Sequence, residues 1–474
     1  MKKTVSLALL LSSSLALAAP GNWKGTITMY VQSYTPNYPG AKVPLKAFQD
    51  IADEYQKKYP GIKITFWNKP IPDVNQTVRV KAAAGELFDV FWAQTYDLNS
   101  TLPRGLAVDL APYFKQPNPY IPGNRAWQDA MSQQTLAENA SPTGAQYSLS
   151  ADQDAYTIYY NKDLFKKAGI TQAPGSWPEL LADAKKLRAA GITPMNAVPA
   201  YPWWSHHFLT DLYAGDYATL TGYDKAPGQS PLDEAVAIQK GLLTPKDPRF
   251  MSWWPTFKQF TDTWNKDSLN APIDKNYDLF QDFVGGKEAM IYEGSYLLHD
   301  MQDAGIKFPV GSFNFPRLTA KDTQGATGAY TANAYSGIGA FQYAVSSPRA
   351  NKTMTPDKLA AVIDWMRYFG TPKNVQRIVA ENGSYVPTWP GTKPQFASNF
   401  DTAALTQQVK QPVRAIGVGT ASPNLGWGDM QRIFSLYLSG NITLDQAKQQ
   451  AQGVLDKAAT DYGRKNKVDY AKYK

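Results

Sequence analysis

The feature that most constrains this chain is an alternation of short strand-like runs with helix-like runs near its start. Gly25-Thr-Ile-Thr-Met-Tyr-Val31 alternates as a half-buried strand does. Val43, Phe48, Ile51, Ala52 and Tyr55 then recur at helical spacing until Pro60-Gly61 stops the helix. Ile62–Phe66 reads as a second strand, Val74–Ala84 as a second helix and Phe88–Phe91 as a third strand. Strands alternating with helices predict an α/β domain with a largely parallel sheet. In such a sheet a ligand lies beyond the carboxyl ends of the strands. Tyr30 to Tyr34, Trp67, and Trp92 with Gln94, Thr95 and Tyr96 fall at those ends.

The middle of the chain carries more helix. Ser176-Trp-Pro-Glu179 fits a capping box with proline in the first turn, opening an amphipathic helix through Leu180 to Ala190. Phe257–Trp264, Tyr277–Val284, Pro356–Phe369 and Pro372–Glu381 read as further helices, and Ser336–Ser346 as a strand. Thr443 to Tyr462 is one long helix, with Thr443 and Gln446 as its cap. With 474 residues, two domains are expected.

Met1-Lys2-Lys3, the apolar run Val5 to Leu11 and the small residues at Ala16-Leu17-Ala18 form a secretory leader, cut after Ala18. Its apolar core is too short to span about 30 Å of hydrocarbon. There is no cysteine, so no lipid anchor, disulfide or thiol catalysis is available and a periplasmic, non-lipidated protein is expected. The net charge is +8, but the basic residues are scattered, and the densest cluster, Arg464 to Lys474, contains Asp469. No basic patch interleaves with aromatics as a nucleic-acid module requires. Aromatics are the compositional outlier, with 13 Trp and 28 Tyr, many of them near strand-end or loop signals. Rings with a polar tip suit a surface that is alternately wet and covered.

Several blocks, in order, carry a resemblance: Phe88-Asp-Val-Phe-Trp-Ala93, Gly105-Leu-Ala-Val-Asp-Leu110, Tyr160-Asn-Lys-Asp-Leu-Phe-Lys-Lys-Ala-Gly169, Ser176-Trp-Pro-Glu-Leu180, and Gly191-Ile-Thr-Pro194. Phe283-Val-Gly-Gly-Lys-Glu-Ala-Met290, Glu293-Gly-Ser-Tyr296 and Leu438-Ser-Gly-Asn-Ile-Thr-Leu-Asp-Gln-Ala447 continue the series. Together they resemble the sugar-binding proteins of ATP-driven importers, the family of maltodextrin-binding protein. The resemblance implies a two-lobed α/β fold, the type II periplasmic binding protein architecture, with a ligand cleft between lobes joined by several hinge crossings. One lobe is expected to hold residues 19–154 and about 336–413, the other 155–335 and about 414–474, with crossings near Asp154, Tyr335 and Arg414. It further implies a monomer that closes over a carbohydrate and passes it to the permease subunits of the importer, with no cofactor.

The same resemblance places a ligand-stacking ring at Trp92 and polar contacts at Gln94 and Thr95. The acidic-basic pair of maltodextrin-binding relatives is missing there, which argues for another sugar. Asp154 matches a carboxylate that accepts sugar hydroxyls. Trp203 or Trp204 falls near a binding aromatic, Tyr296 stands where the family has tryptophan, and Trp427 matches another stacking position. Tyr34, Trp67, His207 and Glu293 complete the candidate set. A sugar has an apolar C–H face and a rim of hydroxyls; flat rings cover the first, and side-chain acceptors and donors pair the second. Unpaired buried hydroxyls would cost roughly 2 kcal/mol or more each.

Simpler roles compete with some of these. Adjacent residues on a strand face opposite ways, so on a strand one of Trp203 and Trp204 at most faces the cleft. Trp253-Trp254 reads as packing. His206-His207 lacks zinc spacing, and no metal is expected. Gly285-Gly286-Lys287 is not a phosphate loop and ends the preceding helix. The rival ligands are a phosphorylated polyol, wanting clustered Arg and Lys or exposed helix N-termini, and a polyamine, wanting several carboxylates. A periplasmic carbohydrate-active enzyme would need two placed carboxylates, for which no motif is present.

Overall fold

The computed structural model describes residues 22–473 except 96, 142, 224–228, 272–275, 329–338, 394, 397–398, 409–415 and 417–424. Its strands are β1 Gly25–Tyr30, β2 Ile62–Phe66, β3 Val90–Trp92, β4 Leu149–Ser150, β5 Asp152–Gln153 and β6 Tyr156–Asn161. They are followed by β7 Thr193–Met195, β8 Glu288–Gly294, β9 Val310–Phe313, β10 Gln342–Val345 and β11 Val386–Pro387.

The first sheet has the order β2-β1-β3-β10-β4. β1 runs parallel to β2 and to β3, as the strand–helix alternation predicts. β10 is antiparallel to both β3 and β4. The second sheet, β7-β8-β6-β9, is also mixed: β7 and β8 are parallel, but β6 is antiparallel to β8 and β9. Parallel pairing therefore covers β1 with β2 and β3, and β7 with β8, while the other ladders are antiparallel. Antiparallel strands enter where distant segments add to a sheet. Buried Asp89 helps fix the first register, accepting from the Thr28 N–H at 2.8 Å.

The first sheet packs into a core with the helices Ala47–Lys58, Pro356–Phe369 and Pro372–Asn382, through Phe48, Ile51, Tyr55, Trp365 and Ile378. The second sheet is covered on both faces. Ile158, Met290 and Tyr292 join a large aromatic core, whereas Tyr159 and Ile291 join a smaller cluster with Leu298, Met301 and Phe400. Alternate residues of one strand thus serve two cores, as a period of two requires.

The aromatic core holds Trp204, Phe208, Trp253, Trp254, Phe257, Phe260 and Trp264, all at 1 % exposure or less. Phe208 stacks on Trp253 with centroids 4.6 Å apart. Burying each ring contributes about 1.5–3 kcal/mol. Trp253, Phe257 and Phe260 form a stripe along the helix Trp253–Thr261, so these aromatics follow a helical face and serve as core. Trp203 and Trp204 are likewise on a helix, Tyr201–Leu212, and not on a strand.

Several ends were legible. The Ser176/Glu179 and Thr443/Gln446 capping boxes form, opening the helices Trp177–Ala189 and Leu444–Asn466. The chain passes between the sheets after β4: β5 pairs with β11, and β6 already belongs to the second sheet. The crossing expected near Tyr335 lies outside the described residues. The return occurs before the expected Arg414, because Asn399 and Asp401 already bond Val310 of β9 and Asp401 pairs with Lys162 at 3.0 Å. Among the described residues no helix is long and apolar enough to cross a membrane.

Candidate functional site

A cavity of about 460 Å³ opens between residues of the two sheets. The parallel strands deliver one wall. β1 ends at Tyr30, and the chain turns through Gln32, at φ 49°, so that Gln32 and Ser33 line the cavity. A positive φ is uncommon on a non-glycine residue. β3 ends on Trp92, which lines the cavity with Gln94. β10 runs the other way, so its amino end brings Gly339 and Ala340 to the same place. Asn382 and Tyr385 complete this wall.

The facing wall comes from the start of β6, the end of β8 and the helix Leu297–Ala304: Asp154, Tyr156, Tyr296, His299 and Asp300. The Asp154 Oδ1 accepts from the Ser295 hydroxyl at 2.6 Å and the Tyr296 N–H at 3.2 Å. Gly294 permits this approach: a Cβ there would collide with the Asp154 carboxylate and the Tyr296 ring. The Tyr296 hydroxyl donates to Glu293 Oε2 at 2.6 Å.

Three buried carboxyls cluster here. Burial raises Asp154 to about 6 and Glu293 and Asp152 to about 7, with the charge of Asp154 adding to the rise in the other two. Desolvation disfavours the charged form, and no Lys or Arg among the cavity's described lining residues offsets it. Asp152 lies behind the wall, held by the Tyr34 hydroxyl at 2.6 Å and the Phe341 N–H at 2.9 Å.

Of the residues singled out from sequence, Trp92, Gln94, Asp154 and Tyr296 meet in the cavity. Tyr34 is buried against Asp152, and Thr95 is buried with its N–H on Gln342 at 2.8 Å; neither lines the cavity. Trp67 packs on Phe88 with the Lys81 ammonium over its ring. Trp204 is inside the aromatic core, 4.3 Å from the Tyr292 ring. His207 stacks on Phe315 and bonds the Tyr292 hydroxyl at 2.6 Å. Glu293 is buried one layer back, and half-buried Trp427 opens a helix away from the cavity lining. The Trp203 side chain lies outside the described residues. His206 is fully buried, which lowers its pKa to about 3. Among the described residues no cluster could hold a metal ion. Gln32 and Ser33 lie in the segment Tyr30 to Tyr34 that the strand-end rule marked, whereas sequence reasoning missed Tyr156, His299, Asp300, Asn382 and Tyr385. The missed residues have no local signal.

Two α/β units with a polar, ring-lined cavity between them define a two-lobed ligand-binding protein. The model of the bacterial extracellular solute-binding protein family matches residues 41–376, and the chain belongs to that family. The sn-glycerol-3-phosphate-binding periplasmic protein UgpB of Rhizobium meliloti is 32 % identical over 182 residues, 38 % of this chain and 39 % of that one. This match spans about two fifths of the length of the curated relative. The fold is that of RafE in complex with raffinose (TM-score 0.60, 18 % identity, 92 % of this chain and 100 % of that chain). It is equally that of the GacH receptor of Streptomyces glaucescens, solved unliganded and with acarbose (TM-score 0.63, 18 % identity, 93 % and 99 %).

Proposed function

We propose that this protein captures a carbohydrate in the cavity and presents it to the permease subunits of an ATP-driven importer. The observation that carries this reading is the lining: the rings of Trp92, Tyr156, Tyr296 and Tyr385 alternate with Gln32, Gln94, Asp154, Asp300 and Asn382, without Lys or Arg among the described residues. Rings cover a sugar's C–H faces, and amides and carboxylates pair its hydroxyls. A phosphate, by contrast, calls for Arg, Lys or a free helix N-terminus, and the N-terminus at Tyr296 already has its N–H on the Asp154 carboxylate and Asp300 in its first turn. The sugar-bound RafE and GacH folds support the same reading, and the UgpB likeness supports the phosphorylated polyol.

In this reading Trp92 and Tyr296 stack, while Gln94 and Asp154 pair hydroxyls. In the same reading the β5–β11 pair, beside which the chain passes from one sheet to the other, is part of the hinge. The ligand closes the lobes by binding the closed form better than the open one. The first eighteen residues act as a cleaved leader to the periplasm.

A thermal-shift screen tests this, because a ligand that binds only the folded state raises the apparent stability. Neutral mono- and oligosaccharides should include at least one that raises the melting temperature. A rise with sn-glycerol 3-phosphate and with none of the sugars overturns the proposal.

A further inference from the structure

The helix Leu297–Ala304 belongs to the second lobe by its packing, yet the first lobe holds it near both ends. Leu297, Leu298 and Met301 are buried with Tyr159 and Ile291 of the second sheet. The amino end is capped from outside. His299 is the third helical residue, whose N–H the side chain just before a helix ordinarily takes. Tyr296 stands in that place and makes no such bond. The Ser384 hydroxyl accepts from the His299 N–H instead, at 2.7 Å and across 85 residues of chain. Ser384 is fully buried and follows the helix Pro372–Asn382, which packs on the first sheet. Gly383 makes that position reachable: at φ 68° its left-handed backbone turns the chain out of the helix.

The carboxyl end is tied independently. The loop between Thr35 and Lys46 leaves the first lobe and returns to it, closed by the Asn37 N–H donating to the Leu45 carbonyl at 2.9 Å. From this loop the Val43 N–H donates to Asp303 Oδ1 at 2.9 Å. Gln302 comes to the same side, since a Cβ on Gly383 would sit 3.7 Å from its Nε2. His299 and Asp303 are about one turn apart, roughly 6 Å along the helix axis. Two bonds so spaced fix the direction of the helix on the first lobe as well as its place. The turn between them carries His299 and Asp300, which line the cavity.

We propose that Leu297–Ala304 is an inter-lobe latch, with Ser384 and the Val43 loop as its two catches, and that it holds the cavity walls facing each other before any ligand arrives. Parting the lobes at this edge strips the cap from the helix and leaves the His299 N–H to water. Loss of a cap of this kind shifts a two-state equilibrium about fivefold. The Val43–Asp303 bond is exposed and contributes less, because water competes for both partners. A ligand that touches His299 or Asp300 bears on the latch's own turn, so binding and closure share one element. The latch also raises the fraction of molecules whose site is already assembled, and apparent affinity rises with that fraction.

The latch requires lobes that move, not a carbohydrate, so ligand-free protein tests it. The chain has no cysteine, and Val80→Cys with Asp445→Cys puts one spin label at an exposed position of each lobe. Pulsed electron paramagnetic resonance then reads the distances between the labels. Ser384→Ala should move population about fivefold from the parent's dominant distance to a second one, and Asp303→Ala should move it the same way by less. A melt of each variant shows whether it is folded; Asp303→Ala, whose bond lies at the surface, decides alone if Ser384→Ala does not fold. Distances unchanged in both variants overturn the latch, even where Ser384→Ala melts lower, because that result marks a helix cap and nothing more. The carbohydrate reading stands in either outcome.

Discussion

The two walls of the cavity are built by different means. On the first, regular parallel strands run out and their carboxyl ends deliver Gln32, Ser33, Trp92 and Gln94, groups that are neutral and set by backbone topology. On the second, carboxyls stand at the end of β8, the start of β6 and on one helix, beside a core made largely of rings. The first wall takes its precision from the sheet ladder. The second takes it from dense aromatic packing and hydrogen bonds such as Ser295 to Asp154. Precision by ladder tolerates side-chain change, because backbone bonds hold the frame. Precision by packing does not.

Trp204→Ala puts that contrast under the greatest load. Trp204 is 1 % exposed and touches Tyr292, Phe257 and Trp264. Its truncation should cost about 3–5 kcal/mol in urea unfolding, with a cost below about 1 kcal/mol arguing that the second lobe repacks freely.

The next effect is electrical. Burial raises Glu293 from 4.5 to about 7, so the folded state holds that proton more tightly than the unfolded chain does. Its contribution is complete below pH 4.5 and is lost as the pH rises through about 7. Glu293→Gln should flatten the stability profile across that window by roughly 3 kcal/mol at most. An unchanged slope would assign the proton to Asp152 or Asp154.

The smallest effect concerns the first wall. Trp92→Ala should weaken sugar binding about tenfold, or about 1.4 kcal/mol. Trp427→Ala, outside the cavity lining, should weaken it less. The reverse order in calorimetry would move the stacking surface off the end of β3.

Each wall was legible in part: strand ends and the family blocks marked Trp92, Gln94, Asp154 and Tyr296, and the rest stayed hidden for a physical reason. Strand periodicity and the Pro60-Gly61 stop place β1 to β3 before any tertiary contact is known, so Trp92 and Gln94 could be found by topology. Asp300, Asn382 and Tyr385 come together only through packing of segments far apart in the chain, and nothing local marks them. The run Tyr201-Pro-Trp-Trp was ambiguous because aromatic residues suit strand and helix alike, and its tertiary surroundings decided for helix. The second sheet's antiparallel pairs were hidden similarly, since hydrophobic alternation says nothing about strand direction. Capping boxes were the most reliable local signals, because the bonds that make them lie within four residues.

The pairing of β3 with β10 also governs the order in which the molecule can be made. Val90 finds Val345 only after the whole second sheet has been synthesised between them. A chain interrupted before Gln342 would carry Val90-Phe91-Trp92 as a bare apolar sheet edge, open to a second copy of itself. Until β10 docks, the ring that later faces the ligand sits on a template for aggregation.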